Sequence, residues 1–332
     1  MRTDRPGSLR HAIRVVRARR WADACALLLA MLALVAAFAE ELASSRPILC
    51  KWHGSVHILA NVTHPHDLDG VTPERFDKEK DAGDFAVWPL VACGSRSACG
   101  PAVTPPLASR AHPLGTDGNG RDVFARLVYG TRSAFAVAIL AVAAFVGLGA
   151  ALGAIAGFFG GGVDFFVARA VETLSAFPVP LLALVVQALV PNAGVWSLVA
   201  VIAALRWTEV ARLVRAEVLA TASLDYVMAA RALGASPLRV LYKHVLPMTL
   251  SPIVVSAVLG LGQIVLLESA LDFLRVGLPP SIPTWGEMLS ESRDHFGAWW
   301  LLLLPGSLVF ASVIATNALG EALRDALDPR AA

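Results

Sequence analysis

Long apolar stretches alternate with polar loops along this chain of 332 residues. A transmembrane helix needs roughly 20 mostly apolar residues to cross the hydrocarbon core of a bilayer. Six stretches meet this requirement, at about 22–40, 133–159, 172–191, 194–212, 249–268 and 298–318. The fourth is the weakest, because Arg206 and Glu209 lie inside it; we expect them near the cytoplasmic end of the span or paired within the helix bundle. The pattern predicts an all-α membrane protein with six transmembrane helices.

The composition and the charge distribution support and orient these spans. The chain is 56% hydrophobic and 16% charged, whereas soluble domains are about a quarter charged. Residues 1–20 contain seven Arg and a single Asp, and Lys and Arg are retained on the cytoplasmic side of a membrane. We therefore expect both termini, and the polar segment between spans four and five, in the cytoplasm. The first apolar run resembles the core of a signal peptide, but no clear cleavage site follows, so we interpret it as an uncleaved span.

These boundaries divide the chain into five parts. They are a basic cytoplasmic tail (1–20), a first transmembrane helix (21–41), a long external segment (42–131), a five-helix core (132–320) with a cytoplasmic loop at 213–247, and a cytoplasmic C-terminal tail (321–332). The external segment is predicted to contain short strands around 47–59 and 85–91. Arg121–Tyr129 is predicted as a short amphipathic helix at the membrane interface. A partly disordered spacer is the alternative for this segment.

The segment 223–247, called here the corner loop, has the punctuation of two short helices joined by a tight corner. Ser223 is a suitable cap for a first helix that runs to about Leu233. Gly234 suits the left-handed residue that follows a helix end. Ser236 and Pro237 then match the N-cap and first position of a second helix. Small alanines on the first helix would allow another backbone to approach closely, so we expect this loop to dock onto a partner.

The corner loop resembles the EAA loop of permease subunits in ABC importers. Ala229, Ala230, Gly234, Leu246 and Pro247 fall on the family pattern at the right spacing. Met228 and His244 replace the usual Glu and Ile, as is common in the peptide-transporter branch, and Met248 replaces the Asn that follows the Pro. The resemblance implies that the loop couples the chain to an ATPase through Asp225, Ala229, Ala230, Arg231, Gly234, Ser236, Leu246 and Pro247.

Three further stretches carry the same resemblance. Residues 112–132 resemble the sequence before the second span of oligopeptide and dipeptide permeases. Residues 268–289 resemble the family's outer loop before the last span, with Asp272 and Arg275 where the family favours Ser and Gly. Residues 320–330 resemble the family's C-terminus. The resemblance covers residues 112–330, and the long external segment with its phrase RPILCKWHGS is similar, more weakly, to the Yej-type permease of microcin C and oligopeptide uptake.

The resemblance implies a bacterial inner-membrane, multi-pass permease subunit of the type I ABC importer fold. The implied partners are a second homologous permease chain, two ATP-binding ATPase subunits, a periplasmic substrate-binding protein and the lipid bilayer, with no nucleic acid. No phosphate-binding G-x-x-x-x-G-K-[ST] motif occurs in the sequence. We therefore expect no enzymatic activity and no cofactor in this chain, with ATP bound by the partner subunits. Peptides or peptide-like compounds are the favoured cargo, and nickel or a metal chelate is the alternative within the family.

Two other classes of protein fit the sequence less well. A proton-coupled secondary transporter would need an ionisable residue deep in a span, and Arg206, Glu209 and Glu268 are predicted to be peripheral. A membrane anchor for the external segment would leave the corner loop unexplained.

Polar side chains within the spans suggest a translocation pathway. Gln187, Gln263 and Asn317 have no partner in lipid, so they are expected to face the bundle interior or the pathway. Contacts between helices, without any contact with substrate, are the alternative.

The external segment also contains histidines, cysteines and aromatic residues. Four of its histidines lie close together in the sequence, at 53, 57, 64 and 66, but they lack a tight ligand pattern and no metal site is predicted. Cys25 lies in the first span; of the three external cysteines, Cys93 and Cys99 are close enough to form a bridge, with free thiols as the alternative. Four aromatic residues either anchor a partner or form the core of a small cap: Trp52, Phe76, Phe85 and Trp88.

Overall fold

A computed structural model describes residues 20–81, 83–190 and 194–327 of the chain. The predictions for the basic tail, and for the last five residues of the C-terminal tail, lie outside the described residues. The described chain forms two compact units. The first contains residues 20–29, 137–267 and 312–327, and the second contains residues 30–136 and 268–311.

Helices account for most of the described chain. They are α1 Arg20–Ala37, α2 Ala39–Leu42, α3 Ala60–Thr63, α4 Pro73–Glu79, α5 Val123–Phe159, α6 Gly161–Ser175, α7 Val179–Leu189, α8 Val195–Ala222, α9 Asp225–Ala232, α10 Pro237–Val240, α11 Leu246–Phe273, α12 Trp285–Glu291 and α13 Trp299–Leu327. A 3₁₀ turn, His66–Leu68, and a π-helical turn, Leu241–Val245, complete the helical elements. The strands are β1 Leu49–Trp52, β2 Ser55–Ile58 and β3 Phe85–Val87.

Three helices within the described residues are long and apolar enough to cross a membrane: α5, the continuous helix Pro237–Phe273, and α13. A fourth span is obtained if α6 and α7, which are bent by 87° at a short break, count as one. The break follows from Pro178 and Pro180, because proline disfavours helix in the residue before it and has no N–H to donate. α1 is shorter, and α8 carries Arg206, Glu209 and Arg212 within its apolar part. The predicted count of six spans is therefore not confirmed.

The external segment contains short strands, as predicted, within a chain that is otherwise mostly helical. Its three strands form an antiparallel sheet in the order β2-β1-β3, close to the two places where short strands were predicted. Cys50 and Trp52 point to one face of β1 and are buried, because successive residues of a strand alternate between faces. The ring of Phe76 lies 4.9 Å from that of Trp52 and 6.3 Å from that of Trp88. Three of the four aromatic residues are thus core, and Phe85 is 47% exposed.

Two predicted boundaries are corrected by the helices. The stretch 121–129 is not a separate interfacial helix, since α5 runs without interruption from Val123 to Phe159. Gly130 lies inside α5 and does not end the helix. A β-carbon at this position would lie 2.7 Å from Cδ1 of Trp285, so glycine is needed here for close packing. Likewise, residues 321–327 continue α13 instead of forming a tail.

Within the first unit, α5 packs closely on α8 through small residues. β-Carbons added at Gly149, Gly153 and Gly157 would lie 2.6, 2.4 and 2.8 Å from backbone oxygens of α8. These glycines are four residues apart, so they share one face of α5. Small residues at this spacing let membrane helices approach until their backbones touch.

Candidate functional site

Backbone hydrogen bonds close the tight turn at the end of α9 in the corner loop. The N–H of Gly234 donates to the carbonyl of Arg231 at 3.0 Å, and the N–H of Ala235 donates to that of Ala230 at 3.1 Å. This pair of bonds is the Schellman arrangement, which requires a left-handed residue after the helix. Gly234 has φ +83°, as predicted. A β-carbon at Gly234 would have no atom within 4 Å, so the backbone angle, not the space, requires glycine here.

The start of α9 differs from the prediction. Ser223 does not cap α9; its hydroxyl donates to the carbonyl of Ala220 at 2.9 Å, at the end of α8. The N-cap residue is Leu224, which makes no side-chain cap bond. Asp225 lies in the first turn of α9, where its charge interacts favourably with the helix dipole. The prediction failed because α8 extends to Ala222 and uses the serine at its own end.

The prediction for the second half of the loop also needs a correction. Ser236 is the N-cap residue and Pro237 the first residue of α10, as predicted. However, this helix does not stop, because the π-helical turn joins it to α11 and yields one helix from Pro237 to Phe273. The wide turn comes immediately before Pro247. Proline has no N–H and its ring crowds the carbonyl four residues earlier, so a wider turn accommodates it within the helix.

The corner loop exposes large apolar side chains in the isolated chain. Leu233 is 88% exposed and Tyr242 68% exposed, and Tyr226, Met228 and Leu238 of the same loop are also exposed. Exposed apolar clusters mark contact surfaces for other proteins. Sequence reasoning missed these five residues, although large apolar side chains in a charged loop were a usable signal.

Most of the eight residues predicted for coupling are exposed in the isolated chain. Asp225, Ala229, Arg231, Gly234, Ser236 and Pro247 are exposed, and Ala230 and Leu246 are half-buried. The guanidinium of Arg231 lies 5.1 Å from the ring centroid of Phe158 on α5. The hydroxyl of Tyr226 donates to the carbonyl of His244 at 3.3 Å. These contacts tie α9 both to the end of α5 and to the π-helical turn.

The three predicted pathway residues have different surroundings. Gln187 on α7 is buried, and its amide donates to the hydroxyl of Ser197 on α8 at 3.5 Å. Gln263 and Asn317 are exposed. Gln263 accepts a hydrogen bond from Arg206. Arg206 also pairs at 2.8 Å with Glu209, one turn later in α8, and the Glu209 side chain is 59% exposed.

In the second unit, a buried charge network joins the two outer stretches of resembling sequence. Arg126 has no exposed surface, and its guanidinium contacts Asp117 at 2.5 Å, Glu291 at 2.5 Å and Glu287 at 3.1 Å. Arg121 bonds to Asp117 at 2.7 Å and also to Glu291. Burial raises the pKa of Glu287, and the charge of Arg126 opposes that shift. The network was not predicted, because its members lie far apart in the sequence.

Tryptophan side chains reinforce this connection between the outer stretches. The indole N–H of Trp285 donates to the carbonyl of Leu127 at 3.2 Å, and that of Trp300 donates to the carbonyl of Thr116 at 3.1 Å. Both indoles are buried and both bonds satisfy backbone carbonyls. The outer loop that follows α11 is thus bound to the beginning of α5.

Glu268 lies near the end of α11, and it is buried there by the rest of the protein. It has no exposed surface, and Asp272, one turn later in α11, is 4% exposed.

The cysteines and histidines of the external segment can now be placed. Cys93 and Cys99 form a disulfide. Cys50 is a buried free thiol, whose pKa is raised by burial and by the charge of Asp84. The imidazole of His53 lies 2.8 Å from Asp81, and His66 is 98% exposed. Among the described residues, His53, Asp81 and Asp84 could approach one metal ion, on the surface of the segment.

Comparison with known proteins identifies the family of this chain. Residues 149–332 match the family described as binding-protein-dependent transport system inner membrane component. A dipeptide transport system permease protein of Alkalihalophilus pseudofirmus is 38% identical over 243 residues, which are 73% of this chain and 80% of that protein. A glutathione transport system permease protein of Pectobacterium atrosepticum is 39% identical over 223 residues, 67% of this chain and 74% of that protein. A di/tripeptide transport system permease protein of Pseudomonas aeruginosa is 38% identical over 218 residues, 65% of this chain and 72% of that protein. The chain therefore belongs to the family of binding-protein-dependent transport system inner membrane components.

Proposed function

We propose that this chain is one of the two permease subunits of an ATP-driven importer of peptides or peptide-like compounds. The relatives named above support this cargo, since their printed names assign dipeptides, di- and tripeptides and glutathione to them. The single observation that carries the proposal is the corner loop, with its left-handed Gly234 and its exposed apolar surface. The proposed complex contains a second permease chain, two ATPase subunits and a substrate-binding protein.

The contacts of the corner loop suggest how ATP hydrolysis would be coupled to transport. A partner ATPase would cover the apolar surface around Leu233 and Tyr242, whose burial provides about 25 cal/mol for each Å² removed from water. The Schellman corner keeps α9 and α10 at a set angle. Displacement of α9 would then be transmitted through Arg231 to α5 and through Tyr226 to the helix Pro237–Phe273.

The proposed topology has six spans, with both termini in the cytoplasm of a bacterial cell and the chain in the inner membrane. The spans are α1, α5, α6 together with α7, α8, α11 and α13. The arginine-rich tail supports this orientation. In α8, the charges of Arg206 and Glu209 would be accommodated by their mutual pairing and by the bond to Gln263. The external segment is proposed to contact the substrate-binding protein.

Uptake measurements test the proposed function. Cells that express the complete transporter should accumulate labelled dipeptides, and cells that lack only this chain should not. The same cells should be assayed with radioactive nickel, which is the alternative cargo. Co-purification of an ATPase subunit with the chain is expected. Dipeptide uptake that does not depend on this chain, or nickel uptake that does, would contradict the proposal.

A further inference from the structure

A polar patch lies on three helices of the first unit, and its centre is the guanidinium of Arg206. Arg206 lies near the middle of α8, which carries no charged residue from Val195 to Leu205. Its side chain is only 12% exposed. The guanidinium carbon lies 5.8 Å from the ring centroid of Phe145 on α5, within the range of a cation–π contact. A largely buried cation inside an apolar helix is costly in a membrane, and such residues mark functional sites.

The helices α11 and α13 complete the polar patch. Gln263 on α11 accepts a hydrogen bond from Arg206. A β-carbon added at Gly262 would lie 2.1 Å from the hydroxyl oxygen of Thr316 on α13, so the two helices touch at this level. Gln263 and Asn317, the residues that follow, are both exposed in the isolated chain. Polar side chains in long apolar helices face a bundle interior or a water-filled cavity, so this face of the three helices suits the proposed translocation pathway.

The guanidinium of Arg206 is only partly occupied by acceptors. Its Nη2 donates to Oε2 of Glu209 at 2.8 Å and to Oε1 of Gln263. Its Nε is buried and makes no hydrogen bond within the described part of the chain. Buried donors are rarely left without an acceptor in proteins. The Nε–H of Arg206 therefore lacks an acceptor that the described chain does not supply.

Arg215, further along α8, shows how the same two donors are used when they are fully occupied. Its Nε donates to Oδ1 of Asp164, and its Nη2 donates to Oδ2 of the same carboxylate at 2.7 Å. Two parallel donors of a guanidinium match the two oxygens of one carboxylate. At Arg206, by contrast, Glu209 supplies a single oxygen, and the side chain of Glu209 is 59% exposed.

We propose that Arg206 binds the terminal carboxylate of a peptide within the translocation pathway, and that Glu209 occupies the guanidinium until the substrate arrives. The inference rests on the proposed peptide transport. The incoming carboxylate would accept from both Nε and Nη2 and would displace Glu209, which is bound through one oxygen and can turn to water. Gln263 would keep the guanidinium in place during this exchange. The site therefore favours substrates that carry a free carboxylate.

Direct binding to the complete permease–ATPase complex in nanodiscs tests the site. The substrate-binding protein is left out, because it would impose its own preference. The probes are dialanine and dialanine amide, which differ in the terminal carboxylate, and their affinities are measured by ligand-observed NMR. The unaltered complex should bind dialanine at least about tenfold more tightly than the amide, the scale expected for hydrogen bonds to a charged group.

Two variants should change the affinity for dialanine in opposite directions. Arg206→Gln removes the cation and should abolish the preference for dialanine. Glu209→Gln keeps the size of an exposed side chain but removes the charge that competes for the guanidinium, so dialanine should bind several-fold more tightly. A pair that only stabilises the helix bundle would give no such gain. Arg212→Gln is the matched control, because Arg212 is an exposed residue of the same helix that donates to the hydroxyl of Ser175 at 2.9 Å; it should keep the unaltered affinity and preference.

The proposal is overturned by equal binding of both probes to the unaltered complex, or by an unchanged preference in Arg206→Gln. Weaker or unchanged binding of dialanine by Glu209→Gln would also overturn it. If Arg206→Gln does not assemble with the ATPase, the result for Glu209→Gln decides alone. The cellular uptake assay separates this failure from that of the proposed function. Peptide uptake without a carboxylate preference in binding would refute the site alone, whereas absence of peptide uptake would refute the function.

Discussion

At the scale of single residues, Gly234 and Arg126 illustrate two different reasons why a residue cannot be exchanged. Gly234 is needed for its backbone angle, because the space around it is open. Arg126 is needed for its side chain, because three carboxylates converge on it in a buried position. A local turn motif reveals the first requirement, and only tertiary contacts reveal the second.

Gly234→Asp should abolish peptide uptake and weaken ATPase association while leaving membrane insertion normal. The left-handed backbone costs about 1 kcal/mol in a residue with a β-carbon, which alone is too little to unfold the chain. The larger effect is expected from the added charge in the proposed docking surface. The measurements are uptake and co-purification of the ATPase. Gly54→Asp is a matched control for ATPase association, because Gly54 also has φ +83° and no atom within 4 Å of an added β-carbon but lies outside the corner loop; it should retain the ATPase. Full transport by the Gly234 variant would refute the role of the corner loop.

Arg126→Met should destabilise the protein by about 3–5 kcal/mol, because it leaves buried carboxylates without their countercharge. Arg126→Lys should lose less stability than Arg126→Met, since a single ammonium keeps the charge but not the several donors of the guanidinium. Denaturant unfolding in detergent measures both. Arg75→Met removes an exposed pair with Glu79 and should cost at most about 1 kcal/mol. Equal losses for Arg126→Met and Arg75→Met would show that the buried network contributes no special stability.

At the scale of elements, close helix packing and a small β-sheet stand out. The glycine face of α5 brings its backbone against α8, and the corner loop continues directly into the helix Pro237–Phe273. The external segment builds its own core around Cys50, Trp52, Leu68 and Phe76. Each of these elements depends on partners that lie outside its own stretch of sequence.

Gly153→Ala should destabilise the packing of α5 on α8 by about 1–3 kcal/mol, the range for overpacked sites. The added β-carbon would lie 2.4 Å from the carbonyl oxygen of Ala211, which belongs to a helix backbone and cannot move away by rotation. Thermal unfolding in detergent is the measurement. Gly147→Ala is the matched control on the same helix, because nothing lies within 4 Å of its added β-carbon. A Gly147 variant that is as unstable as the Gly153 variant would contradict the packing argument.

Replacement of residues 49–87 by a short Gly/Ser linker should leave the transmembrane helices inserted and the ATPase bound. It removes the three strands but keeps the disulfide of Cys93 and Cys99. Lengthening or shortening an exposed loop has a small entropic cost, about 0.6 kcal/mol for each doubling. If the sheet contacts the substrate-binding protein, ATPase stimulation by that protein should fall while basal ATPase activity is kept. Transport at the unaltered rate would instead identify the sheet as a passive spacer.

At the scale of the whole molecule, the topology and the source of energy decide the function. The chain has no nucleotide-binding motif of its own and belongs to a family named for its dependence on a binding protein. The proposed topology has the corner loop on the cytoplasmic side and the outer loops on the opposite side. The orientation is therefore the property on which the proposed mechanism depends most.

Cysteine labelling of intact cells tests the six-span topology. In a background without free cysteines, single cysteines at positions 8 and 236 should be labelled only by reagents that cross the membrane. Cysteines at positions 70 and 283 should be labelled by impermeant reagents from outside. The reason is the seven Arg of the N-terminal tail, which are expected to remain in the cytoplasm. Cytoplasmic labelling of position 70 would overturn the model.

The sequence by itself determined the features that a few successive residues encode. The apolar runs indicated a membrane protein, the left-handed turn was predicted at Gly234, Ser236 and Pro237 marked the start of a helix, and the spacing of the corner loop indicated the family. The short strands of the external segment were also predicted. Such features depend on local backbone preference and on hydrophobic period, which are written in neighbouring positions.

Only the tertiary structure decided the contacts between residues that lie far apart in the sequence. Arg126 meets Glu291 across 165 residues of sequence, and Arg121 meets the same residue across 170. The burial of Glu268 and Asp272, and the absence of a boundary between α10 and α11, likewise had no local signature. Whether a charged residue is buried, and whether a proline ends a helix, depends on which donors, acceptors and space the rest of the fold supplies. That information is not present in any single stretch of the chain.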